Sequence, residues 1–533
     1  NLFYVEEGNK RVSVSKFVGL SNITATVTRI LPKRSDTKPI RIYYEFLEFY
    51  KVAPIYDFYF SEEGYYRRFA DAVGRNLTDP WPEELIEEIK ACYAAFQRIY
   101  EAIPDDREKR QHLTTGDAFL IYLTVYPMQS LMEESSAVIR QRTVRLWKEI
   151  LTQTNSEHIS VIENPDDIET QGHLLDVLKH IPSYSVQKPL KIAFIYDKDP
   201  EKSGWIYGHE LGRNALEEKF GGVVKTTRYD GCQTPEALRD AIDAAIVDDN
   251  EMVITTSPIM MAETLKAAIH YPKIRFMNCS LNISVNAVRT YYGRMYEAKF
   301  VMGMLAAQTA TNHKIGYLAD YPIYGSVANI NAFAIGAAMI DPQAVVYLQW
   351  SSQKDIDWQA EFAAQDIKVI SGPDMIRPEY ASREYGIYEM CDDGTIRNIA
   401  VPMWDWGKYY ELIIRSIMEG KWDAKNTKKD QALNYWWGMS AGVIDVIVSD
   451  SLPYSSAKMA QVIKNGVAAG YIHPFEGEIR SQTGVVCGTD DPGLSNEQII
   501  TMNWLCDNVV GMIPVSDQLS DAGKSAAKVS GVG

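Results

Sequence analysis

The chain is short of the residues from which metal centres and cross-linked scaffolds are built. Its six cysteines (Cys92, Cys232, Cys279, Cys391, Cys487 and Cys506) are scattered through 533 residues with no CxxC spacing, so neither a zinc site nor a disulfide framework is indicated. Eight histidines include no HxxxH pair. No apolar run reaches the ~18 residues of a membrane span. A P-loop and a paired His–carboxylate motif are also missing, so no metal or cofactor is called for. Positive charge is scarce as well: the net charge is −16, a sign that repels nucleic acid overall.

What is present is enough to build ordinary cores. Hydrophobic residues make up 46% of the chain, and this length corresponds to two or three domains. From residue 191 onward, short apolar runs alternate with helical patterns, as in βαβ units and parallel sheets. The runs are KIAFIY (191–196), MVITTS (252–257), IRFMNCS (274–280), KIGYLAD (314–320), VVYLQW (345–350), IKVIS (367–371) and NIAVPMW (398–404). Apolar spacing predicts helices over about 206–220, 234–248, 259–270, 295–311, 329–340 and 407–420. A strand near 288–292 followed by the helix from 295 reads as a first crossover, and 404–450 as a return. Two lobes joined more than once make a hinged clamshell that closes on ligands.

Within this pattern, 191–221 places Trp205 at the start of an amphipathic helix, after a buried strand. Small ligands bind beyond the carboxyl ends of strands in such sheets, and an indole there offers a flat surface. Trp404, Trp406, Tyr409 and Tyr410 form a WDWGKYY run at a strand-to-helix turn, where aromatics pack a lobe interface. Arg294, Tyr296 and Glu297 open a helix; Glu297 complements its dipole, and Arg294 is placed to tie the lobes.

Gly204-Trp205, His209, Gly212-Arg213, YYGRMYEAKFVMGMLAA (291–307), KIGYLADYPI (314–323), NINAFAIGA (329–337), VPMWDWGKYY (401–410) and ITMNWLCDNVVGMIP (500–514) together resemble the basic membrane protein (BMP) family. Its members are substrate-binding proteins related to the purine-nucleoside receptors of ABC transporters, and the likeness covers about 190–515. The resemblance implies an α/β fold: a two-lobed, periplasmic-binding-protein-like clamshell of Rossmann-like lobes, about 191–310 and 314–400, with 401–515 crossing between them. It also implies a purine base or nucleoside in the cleft, an ABC permease as partner, and no chemistry on the ligand. Carried over residue by residue, Tyr196, Asp197 and Trp205 would hold one face of the base. Asn278 would meet its edge, with an amide that both donates and accepts, and Ser257 would line the same cleft. Asp374 and Asp392 would take hydroxyl donors. The family's second stacking aromatic would be Trp350 or Trp358, or be absent, and VISGPDMI (369–376) lacks the polar run expected ahead of its aspartate.

The first 190 residues read differently. FYVEEGNKRVSVSKFVG (3–19) and ITATVTRILP (23–32) resemble the core of the ParB/sulfiredoxin-like fold, which implies a short α+β piece over 1–42 with phosphate at Gly8, Asn9, Lys10 and Arg11. A glycine turn, helix-opening amides and two cations suit an anion. Residues 1–41 hold eight Lys/Arg against three acids, a local patch for a nucleotide or nucleic acid. Sulfiredoxin chemistry needs a nearby cysteine, and the first is Cys92. Residues 43–160 read as an aromatic-rich, mainly α-helical region with a core of Tyr and Phe. Residues 161–190 read as a linker with a short helix near 172–180, and 516–533 as a flexible tail. The chain opens inside an expected strand, so an earlier natural start is expected.

Three readings follow: a transport receptor, a cytosolic sensor coupling the clamshell to the amino-terminal module, and a nucleotide-hydrolysing enzyme. Ligand binding without catalysis is the expectation. The ParB-like head implies the cytoplasm; the BMP resemblance implies the outer face of the plasma membrane, as a lipoprotein.

Overall fold

A computed structural model describes residues 7–20, 23–26, 31–35, 37–103, 113–152, 159–168, 183–281, 285–376, 378–380, 382–422 and 432–530. The chain divides into two compact units, Asn1–Ala91 and Cys92–Gly533.

In the first unit, the helices Lys38–Val52 and Tyr65–Ala72 turn their aromatic stripes inward. Phe49 and Phe69 are fully buried, with Tyr66 and Trp81 rings 5.1 and 5.5 Å from Phe49. The ParB-like expectation is not confirmed. Gly8 is a left-handed N-cap (φ 92°) to the helix Asn9–Phe17, which buries none of its residues. Residues 23–26 have no regular structure, and the strand expected before Gly8 falls mostly outside the described residues.

Among the described residues, sixteen strands belong to the second unit: β1 (Ile159–Ile162), β2 (Leu190–Ile195), β3 (Val224–Tyr229), β4 (Met252–Thr255), β5 (Arg275–Cys279), β6 (Arg289–Gly293), β7 (Lys314–Ala319), β8 (Val345–Trp350), β9 (Val369–Ser371), β10 (Ile387–Met390), β11 (Ile396–Trp404), β12 (Ala432–Trp437), β13 (Ile444–Val448), β14 (Ile479–Ser481), β15 (Gly484–Cys487) and β16 (Val509–Val510). Two seven-stranded sheets result, ordered β1-β12-β6-β5-β4-β2-β3 and β13-β11-β10-β9-β7-β8-β16. Every pairing in the first is parallel. In the second, β9, β7, β8 and β16 are parallel and β10, β11 and β13 run antiparallel. Central strands of the first sheet are buried along their length, as in β4, which is why they read as unbroken apolar runs.

The chain passes between the lobes three times: from β6 through Arg294 into the helix Met295–Thr309, from β11 into the helix Trp406–Met418, and from β12 to β13. The helix Met295–Thr309 therefore packs on the second sheet rather than closing the first lobe near residue 310. Two other expectations change. Residues 161 and 162 end β1, which pairs with β12 at the edge of the first sheet, instead of opening a linker; the helix expected near 172–180 lies outside the described residues. Within the expected flexible tail, Asp521–Ser530 forms a helix.

Candidate functional site

The carboxyl end of β4 organises one wall. Thr255, Thr256 and Ser257 continue that strand toward the second lobe. Trp205, the second residue of the helix Gly204–Phe220, donates its indole N–H to the Thr256 carbonyl at 2.8 Å. From β5, Asn278 donates through Nδ2 to Thr255 Oγ1 (2.8 Å) and to the Ser257 carbonyl (2.9 Å). A carbonyl only accepts, so the amide orientation is fixed by its partner. Asn278 Oδ1 then points elsewhere, fully buried and with no hydrogen-bond partner among the described residues. Ser280 Oγ, two residues on, is buried and unpartnered too. Leaving such atoms unmatched costs about 1–3 kcal/mol each, a debt that a ligand with N–H or O–H donors would settle.

Beside this wall is an aromatic cluster drawn from both lobes. Tyr292 lies 6.0 Å from Trp205 at a 30° tilt, and Trp404 meets Trp205 edge-on at 5.3 Å. Trp404 and Trp406 stack at 5.2 Å, and Trp406 stacks on His209 at 4.1 Å. Burial holds the His209 imidazolium form well below its usual range, while Nδ1 shares a 2.6 Å hydrogen bond with the Tyr410 hydroxyl. Trp406 and its neighbours thus pack the lobe interface, as their turn position predicts.

The facing wall is charged. Lys299, on the helix Met295–Thr309, is 2% exposed and pairs with Asp374, which follows β9; its ammonium also lies 5.1 Å over the Tyr317 ring. Burial and then the Asp374 charge push the Tyr317 phenol up. Burial, Cys279 and Asp374 do the same to Tyr292 of the first lobe. Ser371 Oγ, at the end of β9, is buried without a hydrogen-bond partner among the described residues. The lobes meet closely. A Cβ on Gly204 would lie 2.7 Å from the Ile376 carbonyl oxygen, and one on Gly325 would lie 3.2 Å from Leu281 Cδ2.

Of the residues singled out from sequence, Trp205, Ser257 and Asn278 come together at the β4 end, and Asp374 stands on the opposite wall. Asp197 follows β2 at the same carboxyl edge, buried, and that burial raises its carboxyl above the usual range. The other three are placed apart. Tyr196 gives its hydroxyl to Glu210 at 3.0 Å, and Glu210, which pairs with Arg213 of its own helix, ties that helix to the sheet through Arg228 of β3. Trp350 is buried and donates to the Met512 carbonyl, and Asp392 is exposed and bonded to Lys368. Sequence reasoning missed Lys299, Tyr292, Ser280 and Ser371. Only Lys299 carried a signal, a lone cation in the otherwise apolar stretch 298–307.

Residues 190–469, more than half of the chain, match the family described as ABC transporter substrate-binding protein, PnrA-like. The chain belongs to this family. A substrate-binding protein of this kind takes a small-molecule ligand and works with an ABC permease. Among curated proteins, this PnrA-like chain is 24% identical over 340 residues to a purine-binding protein of Brucella abortus, covering 62% of this chain and 95% of that one. It is also 24% identical over 336 residues to a putative ABC transporter glucose-binding protein of Haloferax volcanii, covering 60% and 81%. A solved ABC transporter solute-binding protein from Conexibacter woesei superposes with a TM-score of 0.42 at 13% identity, covering 53% of this chain and 98% of that one. Among the described residues, no group of three or more His, Cys, Asp or Glu is set to hold a metal ion, and no helix is long and apolar enough to cross a membrane.

Proposed function

We propose that this substrate-binding protein takes a purine base or nucleoside between its lobes for ABC-type uptake. The observation that carries the reading is the Asn278 amide, whose two Nδ2 bonds leave Oδ1 as a buried acceptor with no partner among the described residues. A planar base presents ring or exocyclic N–H groups to such an acceptor, and its flat face suits Trp205 and Tyr292. Asp374 has Oδ1 engaged by Lys299, which holds the carboxylate in place for a hydroxyl such as a ribose supplies. Two relatives of equal identity carry the names of different ligands, a purine and glucose. The aromatic wall of Trp205, Tyr292 and Trp404 favours the former.

The test is a thermal-shift and calorimetry panel of adenine, guanine, hypoxanthine, their nucleosides and glucose, on protein refolded free of carried-over ligand; binding raises apparent stability by mass action. One or more purines are expected to stabilise the chain and glucose is not, and the reverse result would overturn the reading. In the same assay, Trp205→Ala is expected to weaken the bound purine by about 1–3 kcal/mol. Asn278→Leu is expected to change the ranking among the purines, because it deletes an acceptor that only some edges use. A uniform loss across all of them would mean that Asn278 serves packing alone.

A further inference from the structure

Behind the cleft, residues from outside the matched family region fasten the hinge. β1 is an edge strand of the first lobe, and its sequel, Glu163-Asn164, reaches two of the three crossovers. Glu163 Oε2 accepts from Arg294 Nη1 at 2.9 Å, and Asn164 Oδ1 accepts from Ser440 Oγ at 2.6 Å. Those crossovers are already braced to each other. Arg294 takes the Trp437 carbonyl through its own N–H at 2.8 Å and pairs with Glu297 at 2.9 Å. Glu297 in turn accepts the Met439 N–H at 2.6 Å. Burial raises the Glu297 carboxyl, with Arg294 and that N–H opposing the rise.

The remaining oxygen of Glu163 goes further. Its Oε1 accepts from Asn496 Nδ2 at 2.6 Å. Asn496 opens the helix Asn496–Ile500, just before Met502 and Trp504, which Asn331 of the second lobe holds. One carboxylate therefore links a first-lobe strand, a crossover arginine and a second-lobe side chain. A cavity of about 320 Å³ lies against this junction, lined among others by Glu163, Arg294, Glu297, Ser440 and Phe475. A packed interior resists displacement, so open volume beside the crossovers is where they have room to move.

We propose that Glu163 is a positioning residue for ligand binding: a latch across the lobes that biases the ligand-free chain toward its closed form. It touches no ligand. It acts by setting the fraction of molecules already competent to bind, because an apparent dissociation constant rises as that fraction falls. Glu163 is 40% exposed, so its hold is modest, and losing it is expected to shift the open-to-closed ratio roughly two- to fivefold. The inference rests on the hinge alone and is independent of which ligand the cleft takes.

Spin labels at Val247→Cys and Met339→Cys, exposed at the ends of first-lobe and second-lobe helices, report the interlobe distance in ligand-free protein with Cys391→Ser to limit stray labelling. Glu163→Ala removes both acceptors, and Asn496→Ala removes the cross-lobe bond while leaving the Glu163–Arg294 pair intact. Both are expected to move the distance distribution toward longer, open values with little change in the unfolding midpoint, which a merely structural role would not produce. An unchanged distribution in either folded variant would overturn the latch.

Discussion

Gly336→Ala, a substitution that stabilises an exposed helix by about 1 kcal/mol, is expected here to destabilise the protein by about 3 kcal/mol, the upper end of overpacking costs. The reason is a reciprocal close approach. A Cβ on Gly336 would stand 2.1 Å from the Phe300 carbonyl oxygen, and one on Gly303 would stand 2.0 Å from that of Phe333. The helices Met295–Thr309 and Ser326–Ile340 are buried along most of their lengths, so the obstacle is backbone that cannot swing aside. Either alanine would push the two helices apart and disturb every contact between them. Gly303→Ala should match Gly336→Ala, and the double variant should fall short of the sum, because one separation relieves both clashes. Thermal and chemical unfolding of the three variants checks this; a Gly336→Ala protein as stable as the parent would remove the argument.

The same helix shows why parts of this fold were legible in sequence and parts were not. Parallel strands buried on both faces leave unbroken apolar runs, so β2, β4, β5, β7 and β8 are read to within two residues. Strands outside such runs were missed: β3, with its exposed polar alternation, and β10, a short antiparallel strand. β12 and β13 were read only as a return toward the first lobe. Site residues divide in a similar way. Trp205 and Asn278 end recognisable elements and so could be placed, whereas Ser280 and Ser371 are small residues whose significance is an unmatched hydroxyl, a property of three dimensions. Asp392 looked equivalent to Asp374 because both follow strands, but β10 runs antiparallel to β9. Reversing the strand carries its end to the opposite edge of the sheet, which is where Asp392 meets Lys368.

Asp374→Ala is expected to cost about 3–5 kcal/mol of stability, the usual toll for breaking a buried ion pair from one side. The asymmetry of the pair makes the test informative. Lys299 is 2% exposed and Asp374 28%. Removing the aspartate leaves a buried ammonium against the Tyr317 face, whereas removing the lysine leaves a carboxylate that water can reach. Lys299→Met, close in volume and without charge, should therefore cost far less than Asp374→Ala, and Lys299→Met combined with Asp374→Asn should recover most of what the alanine variant loses. Unfolding measurements on the three variants decide the matter; equal losses from the two single changes would mean that the pair is held by geometry rather than by the burial of its cation. Ligand affinity in Lys299→Met adds a second reading from the same proteins. If the lysine serves to hold Asp374 toward the cleft, affinity for a nucleoside should fall while affinity for the free base, which has no hydroxyls to offer the carboxylate, should not.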